Sequence, residues 1–245
     1  MKPVIEFTET VGVRSEFNEK TKGVRRPSVA YPSKRNASRS KRAILDSALI
    51  EFSEFGHSGA RVDSVAERAG VSKPLIYSYF GDKDALYAAA LREAYIQIRE
   101  GERELDLQDE DPEMAIRKLV DFTLRHFQRK PWFISMLNTE NLRRGSTIRE
   151  IKDVAEIQTQ LINKVKWILA EGVEQGLFRE GIDPVEVYLS IASLCYFPIS
   201  NKYTLGAVFG ISIDEQWLNR RSHDIGEMVI RYLRPFPEKA ETESR

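Results

Sequence analysis

Apolar residues along this chain recur every three or four positions and nowhere alternate for the length of a strand, so the pattern predicts helices throughout. From near Ser40 to Phe55 the stripe is Ile44, Leu45, Ala48, Leu49, Phe52 and Phe55, and Gly56 ends it. Val62, Val65, Ala66 and Ala69 share one face of a short second helix, which Gly70 closes in the left-handed conformation glycine adopts cheaply. Ser72 is placed to cap a third, with Lys73 and Pro74 in its first turn. Leu75, Ile76, Tyr79 and Phe80 give that helix an apolar side. A fourth starts at the cap Asp82 and reaches about Glu104, with Ala88, Ala89, Ala90, Leu91 and Ala94 as strong helix formers and charge setting in near Arg99.

The second half follows the same rule with longer segments. Asp111-Pro112-Glu113 combines a cap, a first-position proline and a first-turn acid. The helix it opens, to about Gln128, is apolar on two adjacent faces: Ala115, Leu119, Phe122 and His126, then Ile116, Val120, Thr123 and Phe127. Such a helix belongs at the centre of a bundle. Pro131 opens another that Gly145 breaks, and Thr147-x-x-Glu150 has the spacing of a capping box. Ile148, Ile151, Ala155, Ile162, Val165 and Leu169 then step to about Val173. Asp183-Pro184-Val185-Glu186 begins the most apolar helix, Val185 to about Tyr203, with Pro198 as the expected kink. Ser212-x-x-Glu215 begins the last, which carries Leu218, Ile225, Val229 and Tyr232 and stops before Pro235. The expectation is an all-α protein of about nine helices. A three-helix domain occupies 38–91, a larger helical bundle 92–235, and a tail 236–245.

Residues 1–37 have no sustained period and carry prolines at 3, 27 and 32, the composition of a disordered arm. Charge changes the picture here. The formal net charge of the 245 residues is zero, yet Lys20 to Arg42 hold nine basic residues and no acid. Acids gather later, at Glu100, Glu102, Glu104, Asp106, Asp109, Glu110 and Asp111. A positive field at one end of a balanced body suits a polyanion there. The basic half of the arm is read as tracking phosphates or a minor groove, against the plainer reading of a solubilising tail. No apolar run approaches the roughly 20 residues of a membrane helix, and the N-terminus lacks a signal-peptide core, so a cytoplasmic location is expected. The single cysteine, Cys195, lies in the apolar stretch Ile191 to Phe197 and reads as a small hydrophobe.

Two short helices joined by a glycine turn form a helix-turn-helix, whose second helix enters the DNA major groove. Lys73 and Lys83 both sit in helical first turns, where a bound phosphate would be favoured. The segment resembles the TetR/AcrR transcriptional regulators through Val65-Ala66, Ala69-Gly70-Val71-Ser72, Tyr77, Tyr79-Phe80 and Lys83-Asp84-Ala85-Leu86-Tyr87. The preceding helix, ending Phe52-Ser53-Glu54-Phe55-Gly56, matches as well. Arg61 replaces the family's usual threonine cap and Pro74-Leu75 a common Gly-Thr pair, which affects which bases are read. A looser resemblance, through Gly59, Arg61, Val71-Ser72-Lys73, Pro131-Trp132-Phe133 and Asn138-Thr139-Glu140, is to the pyrimidine-utilisation regulator branch.

The resemblance implies a ligand-responsive regulator, most simply a repressor released from a near-palindromic double-stranded operator by a small molecule. The alternative is a DNA-binding interaction protein whose C-terminal domain dimerises without an effector. DNA contacts fall on Arg61, Ser72, Lys73, Pro74, Leu75, Tyr77, Tyr79 and Lys83, with Tyr79 also able to serve as core because it shares the side of Leu75. The effector would lie among Phe122, His126, Trp132, Phe133, Met136, Trp167 and Tyr196, mostly aromatic with a few polar groups. With no cluster of arginines or acids expected there, the ligand is read as neutral or weakly charged and partly aromatic. A homodimer through the last two helices is expected, drawing on Leu194, Cys195, Phe197 and Ile199 with Leu218, Ile225, Val229 and Tyr232, some of which must instead be ordinary core. No cofactor is implied. The histidines 57, 126 and 223 lack metal-site spacing, and no nucleophile or nucleotide-binding motif occurs, which argues against an enzyme.

Overall fold

A computed structural model describes residues 34–236, apart from 104, 106, 108 and 109. The arm up to Ser33 and the tail from 237 lie outside the described residues. Among these residues there are ten α-helices: α1 Lys34–Gly59, α2 Val62–Ala69, α3 Lys73–Phe80, α4 Lys83–Arg103, α5 Pro112–Arg129, α6 Pro131–Leu142, α7 Val154–Glu174, α8 Pro184–Ser200, α9 Lys202–Phe209 and α10 Glu215–Leu233. A 3-10 turn, Ile148–Glu150, precedes α7.

Helix α1 begins at Lys34, so its first turn occupies positions assigned from sequence to the arm. Gly56 interrupts it at φ 64°, ψ 179°, the break the pattern placed there, and a short turn continues to Gly59. Ile44, Ala48, Leu49 and Phe52 are buried. Phe55, read as the end of that stripe, is 57% exposed. Helix α5 touches α4, α6, α7, α8 and α10, the central position its two apolar faces called for. Its Asp111 accepts from the amides of Glu113 (3.0 Å) and Met114 (3.2 Å), a working N-cap.

Three expected helix starts are built differently. Ser72 has cap-like backbone angles but its hydroxyl makes no capping bond. Thr147 is itself helical, so no capping box forms; its amide, with that of Ile148, donates to the buried Glu140 carboxylate at 2.7 and 3.0 Å. The last helix is capped by Asp214, accepting from Trp217 N–H at 2.8 Å, rather than by Ser212. The additional helix arises at Asn201, beyond the Pro198 where a kink was expected. Asn201 leaves helical geometry and turns its side-chain amide back to the Phe197 carbonyl (2.9 Å). α9 then restarts and ends at Gly210 in the left-handed region.

The DNA-binding head meets the C-terminal bundle along α1 and α6. His57 Nε2 lies 2.5 Å from Asp84 Oδ1, and Arg143 Nη1 lies 2.9 Å from His57 Nδ1. Because a guanidinium only donates, Nδ1 accepts and Nε2 carries the proton toward Asp84. Next to this pair the Tyr87 hydroxyl donates to Glu140 at 3.3 Å.

Candidate DNA interface and effector cavities

In the head, Gly70 (φ 65°) turns the chain from α2 to α3, its N–H reaching the Ala66 and Glu67 carbonyls. Arg61 is the N-cap residue of α2 without a capping side chain. Its backbone N–H is instead taken by Glu51 Oε1 of α1 at 2.9 Å, and the residue is exposed. Glu51 is almost fully buried, a role no periodicity signals. Ser72, Pro74 and Tyr77 are exposed, and Lys73 and Leu75 half-buried, along the outer side of α3. Lys73 Nζ lies 3.0 Å from Asp63, and Lys83 Nζ donates to the Ser58 carbonyl at 3.2 Å. Asp82 caps α4 as expected, accepting from Ala85 N–H at 2.7 Å. Tyr79 takes its alternative placement: the ring packs against the core, Lys41 Nζ stands 5.2 Å from its centroid, and its hydroxyl is buried. A covered hydroxyl is the arrangement of a core residue rather than of a phosphate ligand.

The seven aromatic and polar residues expected around an effector do not share one space. Phe133 and Tyr196 line a cavity of about 200 Å³ with Tyr95, Arg99, Phe127 and Tyr188. Phe122 and His126 line a larger cleft of about 1060 Å³ between α4, α5 and α10. Trp132, Met136 and Trp167 line neither: Met136 is wholly buried core, Trp167 packs against the core, and Trp132 packs edge-on against Phe133 beneath Lys130. Thr123 turns its hydroxyl onto the Leu119 carbonyl of its own helix (2.8 Å). His126 joins the two spaces, its ring centroid 6.2 Å from that of Phe133. Burial, with Lys130 and Arg99 nearby, pushes its imidazole down to about 4. Gly101 lets Phe122 approach α4, since a Cβ there would stand 2.8 Å from the Phe122 ring.

The expectation that no charge cluster faces this region is overturned. Arg117, Lys118, Arg125, Arg129 and Lys130 line the cleft. Most are engaged: Arg117 with Glu227, Lys118 with Glu110, and Arg125 with Asp121 (2.9 Å), Glu215 and Asn219. The small cavity has Arg99 in its wall, with Glu102 and Tyr188 as its partners. From sequence Arg99 marked the point where the fourth helix becomes polar and charged. The spacing Leu91, Tyr95, Ile98, Glu102 continues its buried face, and that was the available signal.

The first part of the chain, 44–90, matches the family model described as bacterial regulatory proteins, tetR family. Residues 112–229 match the tetracyclin repressor-like C-terminal domain. A curated relative, the HTH-type transcriptional repressor NicS of Pseudomonas putida, is 34% identical over 203 residues, covering 81% of this chain and 94% of that one. The chain belongs to the TetR family. This TetR-family protein is therefore a DNA-binding transcriptional regulator, and the described residues have the all-helical fold that the apolar periodicity predicted. The HTH-type transcriptional regulator RutR of Escherichia coli K12 is 29% identical over 202 residues, 82% of this chain and 93% of that one. Among solved structures, the regulator FadR of Bacillus subtilis in complex with stearoyl-CoA superposes with a TM-score of 0.60 at 19% identity, over 78% of this chain and 97% of that one. At that identity the likeness concerns the fold.

The apolar residues of the last helices divide between core and surface. Cys195, Ile199, Leu218, Ile225 and Val229 are buried in the chain's own core. The Cys195 thiol is pushed up to about 12 by burial, as suits a small hydrophobe. Phe197 and Tyr232 remain exposed, joined by Leu189, Met228, Tyr203 and Phe209.

Proposed function

We propose that this TetR-family protein is a homodimeric repressor that leaves a near-palindromic operator when a small molecule occupies its C-terminal domain. The observation that carries the reading is the span of α4. One uninterrupted helix runs from Lys83, beside the recognition helix α3, to Arg103, and its far half walls both cavities. Twenty-one residues make a lever of roughly 31 Å. A ligand that fits better with α4 displaced would favour heads wrongly spaced for DNA, and about 1.4 kcal/mol of differential affinity moves that equilibrium tenfold. That NicS is a transcriptional repressor supports the sign of the response.

Phosphate contacts are assigned to Arg61, Lys73 and Lys83, and base edges to Ser72, Pro74, Leu75 and Tyr77. The exposed apolar residues of α8 to α10, Phe197, Met228 and Tyr232 among them, are assigned to the dimer contact. Two heads would then read half-sites about 34 Å apart, or a multiple of that turn, in the cytoplasm where such DNA lies. Selection of bound sequences from a random duplex pool, followed by sedimentation of the complex, tests this. A two-fold symmetric site bound by two chains is the expected result; an asymmetric site bound by one chain would overturn it.

A further inference from the structure

We propose that the small cavity between α4, α5, α6 and α8 takes a one-ring aromatic carboxylate, its carboxylate received by Arg99. The inference rests on the ligand-responsive reading above and names the class of ligand. Size comes first. At about 200 Å³ the space lies below the roughly 300–1,000 Å³ of pockets for drug-sized molecules, and it suits a single substituted ring. The walls are rings. Tyr95 meets Phe133 edge-on at 5.8 Å, Phe127 stacks on Phe133 at 6.0 Å, and Tyr196 meets Phe127 edge-on at 6.2 Å. An entering aromatic ring continues these edge and face contacts at little conformational cost.

Charge comes second. Arg99 is only 3% exposed, yet it lines the cavity. Its Nη2 donates to the Tyr188 hydroxyl at 3.1 Å and its Nη1 pairs with Glu102, while Nε is buried with no acceptor. A buried donor left unmatched is costly, and a guanidinium edge fits a carboxylate through two parallel bonds. Lys164 of α7 adds a second cation beside Glu102, donating to the carbonyls of Glu102 (2.7 Å) and Leu105 (2.9 Å). A carboxylate offers that edge two acceptors at once, where a neutral amide offers a single carbonyl. Arg99 also sits on α4, so the ligand would bind directly to the lever that carries the heads.

The test is calorimetric titration of the full chain with benzoate, 4-hydroxybenzoate and the neutral benzamide, repeated on Arg99→Gln. Expected is saturable binding of a benzoate, at least about tenfold weaker binding of benzamide, and loss of that preference in R99Q. Should R99Q melt early by circular dichroism, the benzoate-to-benzamide ratio on the unaltered chain decides alone. Binding of neither benzoate up to about 10 mM, a range that already reaches past weak millimolar affinity, would overturn the assignment. Equal affinity for benzamide, or an unchanged preference in a folded R99Q, would overturn it as well. Operator anisotropy separates the two readings. A benzoate that binds through Arg99 without altering DNA affinity upholds the site and removes ligand release. DNA release by a cell extract that the benzoates cannot reproduce or compete with keeps ligand release and removes the site.

Discussion

His126 makes the stability of this protein depend on pH in a way that can be worked out beforehand. Its ring is buried against Phe122, Phe127 and Phe133, its Nε2 has no partner among the described residues, and Lys130 and Arg99 stand near. All of these disfavour a second proton, so the folded imidazole is held down to about 4 from an ordinary 6.5. Below 6.5 the unfolded chain takes up a proton that the folded chain refuses, so stability is full above that value and is lost as pH falls toward 4. Integrated from about pH 7.5 to pH 5, the loss is about 2 kcal/mol, a large share of a typical domain's 5–15. Other groups titrate over the same range, so the quantity to measure is a difference. Urea unfolding of the unaltered chain and of His126→Phe at both pH values isolates the histidine, because phenylalanine keeps a ring and cannot ionise. The gap between the two proteins should widen by about 2 kcal/mol in favour of H126F at the lower pH. A gap that stays constant, or an imidazole titrating near 6.5 by NMR in the folded protein, would refute the argument.

Lys83→Ala should weaken binding to all DNA sequences alike and flatten the dependence of log affinity on log salt by about one unit; an unchanged slope in an anisotropy titration would remove Lys83 from the phosphates. Phe197→Glu places a charge in the exposed face of α8 and should give a monomer by sedimentation at micromolar concentration with the helical circular dichroism intact, whereas a persisting dimer would move the interface elsewhere. Asp111→Ala removes the acceptor of two amides at the start of α5 and should cost about 1 kcal/mol in urea unfolding, with operator affinity unchanged.

Local rules were enough for most of the helices. Pro112 after Asp111, Pro184 after Asp183, and Gly56 and Gly70 beyond apolar stripes each act within a turn of themselves, and the helices start and stop there. The DNA-reading head was legible for the same reason, being a set of short-range signals at fixed spacing. Thr147 shows where that logic ends: its capping-box spacing is present, but Glu140, seven residues back and folded over from α6, already takes the Thr147 amide that Glu150 would serve in such a box. Glu51 takes over the amide of Arg61 from another helix in the same way. The effector region was decided by tertiary structure almost entirely. Sequence periodicity identifies which face of α5 is apolar, but not which neighbouring helix fills the space before it. Thus Met136 became core, Trp132 was held aside by Lys130, and Phe122 and Phe133 ended in different cavities. Arg99 marked only the onset of charge along the fourth helix, and a long side chain on a helix normally reaches water. Only α8 lying across it, with Glu102 to share its charge, made it a buried cation facing an aromatic space.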